Sequence, residues 1–285
     1  MKNKQIDLAL AFLESQPGSA ASVLEQQPIE DVVEFIRDIP FAHAALVLEK
    51  MLPHYIASLC THLDPSISAS FLSKMDIIQV AAVMRNLDIG LRNDVLNFLS
   101  ERKKTECKLL LYYVEEDIGA WMSTKVMTLP DDCSVREAIL RIKKSRDLID
   151  TDELFIVDRN RKLLGVVGVN NLLRANSDNS IISVMKQNPG AMLGRTSLVS
   201  AENHPLWIKH DTIAIVNANH QFMGTLRHLD LRKGLAAISN TVDKPNEGEG
   251  GTEIWGLYGT SLIALLDTVG EMAKQKSDKE DKYEN

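Results

Sequence analysis

The sequence predicts an α + α/β fold, with an N-terminal α-helical superhelix, a duplicated strand-and-helix unit after it, and a C-terminal amphipathic helix. Three observations carry this. Apolar residues recur every twelve positions between about residues 28 and 100. A strand, turn, strand, helix pattern appears twice, about sixty residues apart. The stretch Glu253 to Met272, EIWGLYGTSLIALLDTVGEM, sets apolar residues at helical spacing.

In the repeat, one apolar column runs Ile39, Met51, Leu63, Met75, Leu87, Leu99; a second runs Ile36, Leu48, Cys60, Leu72, Met84, Leu96; a third runs Phe35, Val47, Leu59, Phe71, Val83, Val95. A small column holds Ala45, Ala57, Ala69 and Ala81. After each Ile39-type position a new helix starts, at Pro40, Leu52 with Pro53, Asp64 with Pro65, Asp76, Asp88 and Ser100. Asp and Ser accept hydrogen bonds from the free first-turn amides, and proline suits a position that needs no donor. Helices this short do not hold together alone in water, so they must stack, with the alanines allowing close approach. Such a surface suits a scaffold better than a catalyst. His43, His54 and His62 within it lack the i, i+4 spacing of paired ligands.

After Tyr113 the pattern changes. SVREAILRIKK has a helical period, and LFIVDRNRKLLGVVGVNNLLR, from Leu154 to Arg174, reads as strand, turn, strand, helix. TIAIVNANHQFMGTLRHLDLRKGL repeats that order, with a turn from Asn217 to Gln221, a strand containing Gly224 and a helix beginning near His228. Two copies argue for a pseudo-symmetric pair sharing one core, with the cleft between them as the natural ligand site.

At 285 residues the chain has room for two domains, and 45% hydrophobic with 25% charged residues is ordinary for a globular protein. A net charge of -7 gives no footprint for nucleic acid. After Thr241, ten Asp and Glu face five lysines. Cys60, Cys107 and Cys133 suggest neither disulfides nor zinc, and the N-terminus does not read as a signal peptide, so a cytoplasmic protein is expected. Residues 253–272 fall short of the roughly 20 apolar residues of a membrane span. Gly256, Gly259 and Asp267 interrupt them, which leaves a helix that docks on protein. No P-loop, HExxH or GxSxG occurs, and no enzyme is expected.

The duplicated unit resembles a pair of cystathionine-beta-synthase (CBS) domains. The repeat, followed by YVEEDIGAWMSTKVMTL from Tyr113 to Leu129, resembles the intracellular part of MgtE-type magnesium transporters, and the likeness covers roughly residues 20–240. It implies a right-handed superhelix over residues 1–112, CBS domain 1 with an acidic junction over 113–176 and CBS domain 2 over 177–240. A flexible linker over 241–252 and an amphipathic helix with a charged tail over 253–285 would follow, without the family's transmembrane pore. The implied function is that of a non-enzymatic cytosolic regulatory protein. It would be a homodimer through the CBS pair and could reach a membrane transporter subunit, at the inner membrane, through residues 253–272.

The resemblance also implies ligands. Mg²⁺ prefers oxygen donors, and the family's carboxylate positions fall here on Glu115, Glu116, Asp117, Asp211 and Asp230, with Asp76 beside them. CBS pairs that hold AMP or ATP carry G-h-x-S/T-x-x-D. The first copy, Gly165 to Asn171, has changed both polar positions; the second, Gly224 to Asp230, keeps the acid and puts Arg227 where a hydroxyl would meet phosphate. Asn171, Arg227 and Asp230 are therefore the nucleotide-binding candidates. An adenosine-nucleotide-sensing module and a structural interaction scaffold are the alternative functions.

Overall fold

The computed structural model describes residues 10–145 and 153–242, so the 253–272 segment lies outside the described residues. The described residues divide between Lys108 and Leu109 into two units.

The first unit is helical. Residues 10–15 are followed by α1 (Pro17–Leu24), α2 (Ile29–Asp38), α3 (Phe41–Leu48), α4 (Pro53–Thr61), α5 (Pro65–Leu72), α6 (Ile77–Asn86), α7 (Ile89–Phe98) and α8 (Glu101–Leu111), which crosses the division. Helix starts keep the twelve-residue register, with Pro40, Leu52, Asp64, Asp76 and Asp88 as capping residues. Asp76 accepts the Ile78 N–H and Asp88 those of Gly90 and Leu91. The Phe35 column is buried throughout, each residue at most 2% exposed.

Alternate helices pack together: α1 on α3, α3 on α5, α5 on α7, and separately α2 on α4 and α4 on α6. Two stacks result, and the twelve-residue period of the sequence becomes a 24-residue repeat of the structure. Polar side chains reinforce it. Glu25 and Glu49 accept the N–H groups of Leu52 and Asp76 at 3.0 and 2.6 Å. Tyr55, Gln79 and Lys103 reach back to the carbonyls of Leu24, of Met51, and of Ser73 and Met75. These bonds satisfy backbone groups that short helices leave orphaned at their ends.

The second unit holds a 3₁₀ turn (Ile118–Trp121), β1 (Thr128–Pro130), α9 (Val135–Lys144), β2 (Glu153–Val157), β3 (Leu163–Gly168), α10 (Val169–Arg174), α11 (Ile181–Val184), β4 (Lys186–Gln187), β5 (Ala191–Leu193), α12 (Leu198–Glu202), a 3₁₀ turn (Pro205–Ile208), β6 (Thr212–Val216), β7 (Phe222–Arg227) and α13 (His228–Val242). Ser134 and Glu137 form a capping box at the start of α9. The strands make two sheets, β1-β2-β3-β4 and β5-β6-β7. In each, a parallel pair leads into an antiparallel hairpin with a bulge at the equivalent place, Ile156/Val157 and Ile215/Val216. Phe155, Val157, Val166, Ala214 and Phe222 form the core shared by the copies, with the Phe155 and Phe222 rings stacked at 5.1 Å.

The copies trade edges. β4 leads into the second copy yet pairs with β3 of the first. Ser123 leads into the first copy yet bridges Thr225 on β7 of the second, through hydrogen bonds of 2.7 and 3.0 Å. Glycine permits both approaches. A Cβ at Gly165 would lie 2.7 Å from the Lys186 carbonyl oxygen, and one at Gly224 would collide with the Ser123 carbonyl. Because the obstacle is backbone, Gly224→Ala should cost about 1–3 kcal/mol. Urea unfolding measures this, and an unchanged midpoint would show that the Ser123 edge yields freely.

Candidate functional site

One end of the paired sheets is sealed by its turns. Asp158 Oδ1 accepts the N–H groups of Asn160 and Lys162, and Asn217 Oδ1 those of Asn219 and Gln221. Each arrangement ends on a left-handed residue, Arg161 at φ 62° and His220 at φ 57°. The turns then join: the Leu163 N–H donates to His220 O, and the Phe222 N–H to Arg161 O.

The opposite end, where β2 and β6 begin and β7 finishes, carries the polar groups. Arg227 Nε lies 2.7 Å from Asp230 Oδ2 and its Nη2 3.2 Å from Oδ1, while Lys233 Nζ lies 3.3 Å from Oδ1. The Asp230 side chain is 5% exposed, against 48% for Arg227 and 59% for Lys233. A buried carboxylate therefore holds two cations that still meet water, an arrangement able to present positive charge to an anion. Beside it the His228 ring packs on Trp207 at 5.0 Å, the His228 N–H donates to Asp211 O, and His210 stands 3.8 Å from Glu153.

The structure brings Arg227 and Asp230 into direct contact. Asn171 sits exposed on α10 of the first copy. Two of the junction acids, Glu116 and Asp117, are stitched to the second copy by their backbone, and Glu115 is held within the junction. Glu115 O accepts the Trp121 indole N–H, Glu116 O accepts the Leu198 N–H, and Asp117 bridges Ser197. Tyr113 anchors this strip in a slot between Gly119 and Gly194, where a Cβ on either would come within 2.7 Å of the ring. Glu116 is exposed, Glu115 and Asp117 are half-buried, and Asp211 is exposed at the start of β6. Asp76 caps α6 in the other unit.

Mg²⁺ is held through one or two carboxylates with several waters kept. Both Asp230 oxygens are already engaged by cations, and among the described residues no three Asp, Glu, His or Cys side chains gather into a metal-holding group. The described residues thus form no ready-made cage. The cysteines are buried, with the Cys60 thiol pushed up to about 12 and the Cys107 thiol to about 11, chiefly by that burial. Lys233, Trp207 and His210 were not singled out as site residues in the sequence. The signal available for Lys233 was its place three residues after Asp230, as Arg227 stands three before.

Residues 15–116 match the MgtE intracellular N domain and residues 114–178 match the CBS domain. The magnesium transporter MgtE of Bacillus subtilis is 18% identical over 180 residues, covering 63% of this chain and 37% of that protein. The magnesium transporter MgtE of Enterococcus faecalis is 29% identical over 83 residues, covering 29% of this chain and 18% of that protein. The chain therefore spans well under half the length of these curated relatives. Among solved structures, the cytosolic domain of the Mg²⁺ channel MgtE in complex with ATP superimposes with a TM-score of 0.66 at 17% identity, over 79% of this chain and 92% of that one. The soluble part of a magnesium transporter gives 0.57 at 18%, over 85% and 100%. These likenesses show the fold. No helix among the described residues is long and apolar enough to cross a membrane.

Proposed function

We propose that this chain, built from an MgtE intracellular N domain followed by CBS-type sheets, is a non-catalytic regulatory module of magnesium transport that answers a bound ligand with a change of conformation. The succession of the two matched domains in one chain supports this reading most. The module works in the cytoplasm beside a membrane transporter and pairs with a second copy through its CBS helices. Leu140 on α9, Leu173 on α10 and Val199 on α12 are apolar and exposed, which favours such pairing. Mg²⁺ is the first ligand to consider, held by Glu115, Glu116, Asp117 or Asp211 with its waters retained.

The test compares the thermal unfolding midpoint in millimolar MgCl₂ with that in NaCl of equal ionic strength. A ligand at a hundred times its Kd stabilises the folded state by about 2.7 kcal/mol. A rise of several degrees specific to Mg²⁺ is expected, and no rise would rule out ion sensing by this chain. A second reading, an adenosine phosphate on the second copy, is favoured by Arg227 and Lys233 exposed around Asp230. It requires that ATP raise the midpoint and that Arg227→Ala abolish the rise.

A further inference from the structure

At the start of α13 and the neighbouring Pro205–Ile208 turn, large apolar side chains and cations share one exposed surface. Leu229, Arg232, Lys233 and Ala236 are all exposed and follow one another at spacings of three, one and three, which sets them along one face of α13. That stripe holds no acid. Asp230, on the same helix, is buried, with its two oxygens engaged by Arg227 and Lys233. The turn lies against the helix start: the Trp207 and His228 rings pack at 5.0 Å, and the His228 N–H donates to Asp211 O. Ile208, next to Trp207, is 85% exposed, more than any other large apolar side chain among the described residues, and Leu229 is 50% exposed. Lys209 is exposed beside Ile208, and the exposed acids Glu202 and Asp211 flank the turn in sequence. Residues 177–242 as a whole carry six Lys and Arg against four Asp and Glu, within a chain whose net charge is -7.

We propose that this surface is a contact for an anionic lipid bilayer. Ile208 and Leu229 enter the boundary between headgroups and acyl chains, while Lys209, Arg227, Arg232 and Lys233 meet lipid phosphates. A bilayer needs no matching pocket, so it accommodates a side chain that projects as far as Ile208 does. It also supplies negative charge to the cations around that side chain. A second copy of the chain is a poorer occupant, because a two-fold contact through this face would bring the same cations against each other. Two apolar side chains and four cations make a reversible contact rather than an anchor. Such a contact orients the paired sheets at a membrane surface and responds to the charge of that surface. It goes beyond the regulatory reading above and does not depend on which ligand the module takes.

Flotation of the full chain with lipid vesicles tests the contact. Binding to vesicles of equal phosphatidylglycerol and phosphatidylcholine should exceed binding to pure phosphatidylcholine at least about tenfold at low salt, and fall as NaCl is raised. Ile208→Asp, at a position too exposed to unfold the protein, should lower binding about tenfold and leave the thermal midpoint unchanged. Lys209→Glu with Arg232→Glu should bring binding to the neutral-vesicle level, since each cation is worth roughly fivefold at such a surface. Millimolar inorganic phosphate should displace no more protein than NaCl of equal ionic strength. No binding, or equal binding to both kinds of vesicle, would overturn the proposal. So would binding that survives Ile208→Asp, or release by phosphate, which would assign the cations to a free anion. Polyglutamate bound in place of vesicles would assign the face to an acidic polypeptide, and self-association lost in Ile208→Asp with vesicle binding intact would make it a contact between copies.

Discussion

Phe222→Ala is expected to lower the unfolding free energy of the paired sheets by about 3–5 kcal/mol, the range for truncating a fully buried aromatic. Phe222 is 2% exposed, opens β7, and stacks on Phe155 from the other copy. The substitution removes one wall of the shared core. The neighbours cannot collapse freely into the space, because the Phe222 N–H donates to the Arg161 carbonyl and the Arg161 guanidinium to the Phe222 carbonyl, which fixes the separation of the turns. Urea unfolding followed by far-ultraviolet circular dichroism should show one transition at a lower midpoint. Two separated transitions would mean that each copy carries its own stability and that the stacked rings are incidental.

Phe71→Ala should cost the helical unit a similar amount, about 3–5 kcal/mol. Phe71 is fully buried in α5, whose packing partners are α3 and α7. In stacked repeats stability is a sum of unit and nearest-neighbour terms, so the loss should be felt along one stack. Amides of α3 and α7 should exchange faster together with those of α5. Equal acceleration of α2 and α4 would contradict the division into two stacks.

Much of this architecture was legible in the sequence. The helix starts were readable because each is marked by a side chain with a local job, Asp76 and Asp88 accepting first-turn amides and Pro53 and Pro65 fitting the first position. The duplicated hairpins were readable from their apolar runs. The alternation of layers was not, since both stacks display the same apolar columns and differ only in which neighbour they meet. The crossing of edges between the copies was hidden as well. Its participants, Ser123 and Lys186 with Gln187, are too short to form an apolar run, and they pair through backbone groups that every residue possesses. The same limit applies to the junction. Glu115, Glu116 and Asp117 attract attention as carboxylates, yet the contacts that fix Glu115 and Glu116 run through their carbonyls. At Arg227 and Asp230 the sequence suggested a nucleotide pair, and the structure adds Lys233 on the same carboxylate.

The cross-ties that recur every 24 residues bear on how such a unit can change in length. Glu25 meets Leu52 and Glu49 meets Asp76, 24 residues on, just as Tyr55, Gln79 and Lys103, themselves 24 residues apart, tie back to earlier carbonyls. Deleting one twelve-residue helix would preserve every apolar column and still shift all later helices into the opposite layer, where these ties meet the wrong ends. Gain or loss of helices is therefore governed by parity: the superhelix can grow or shrink by pairs, while an odd step leaves the ties mispaired even though the pattern of hydrophobic residues looks undisturbed.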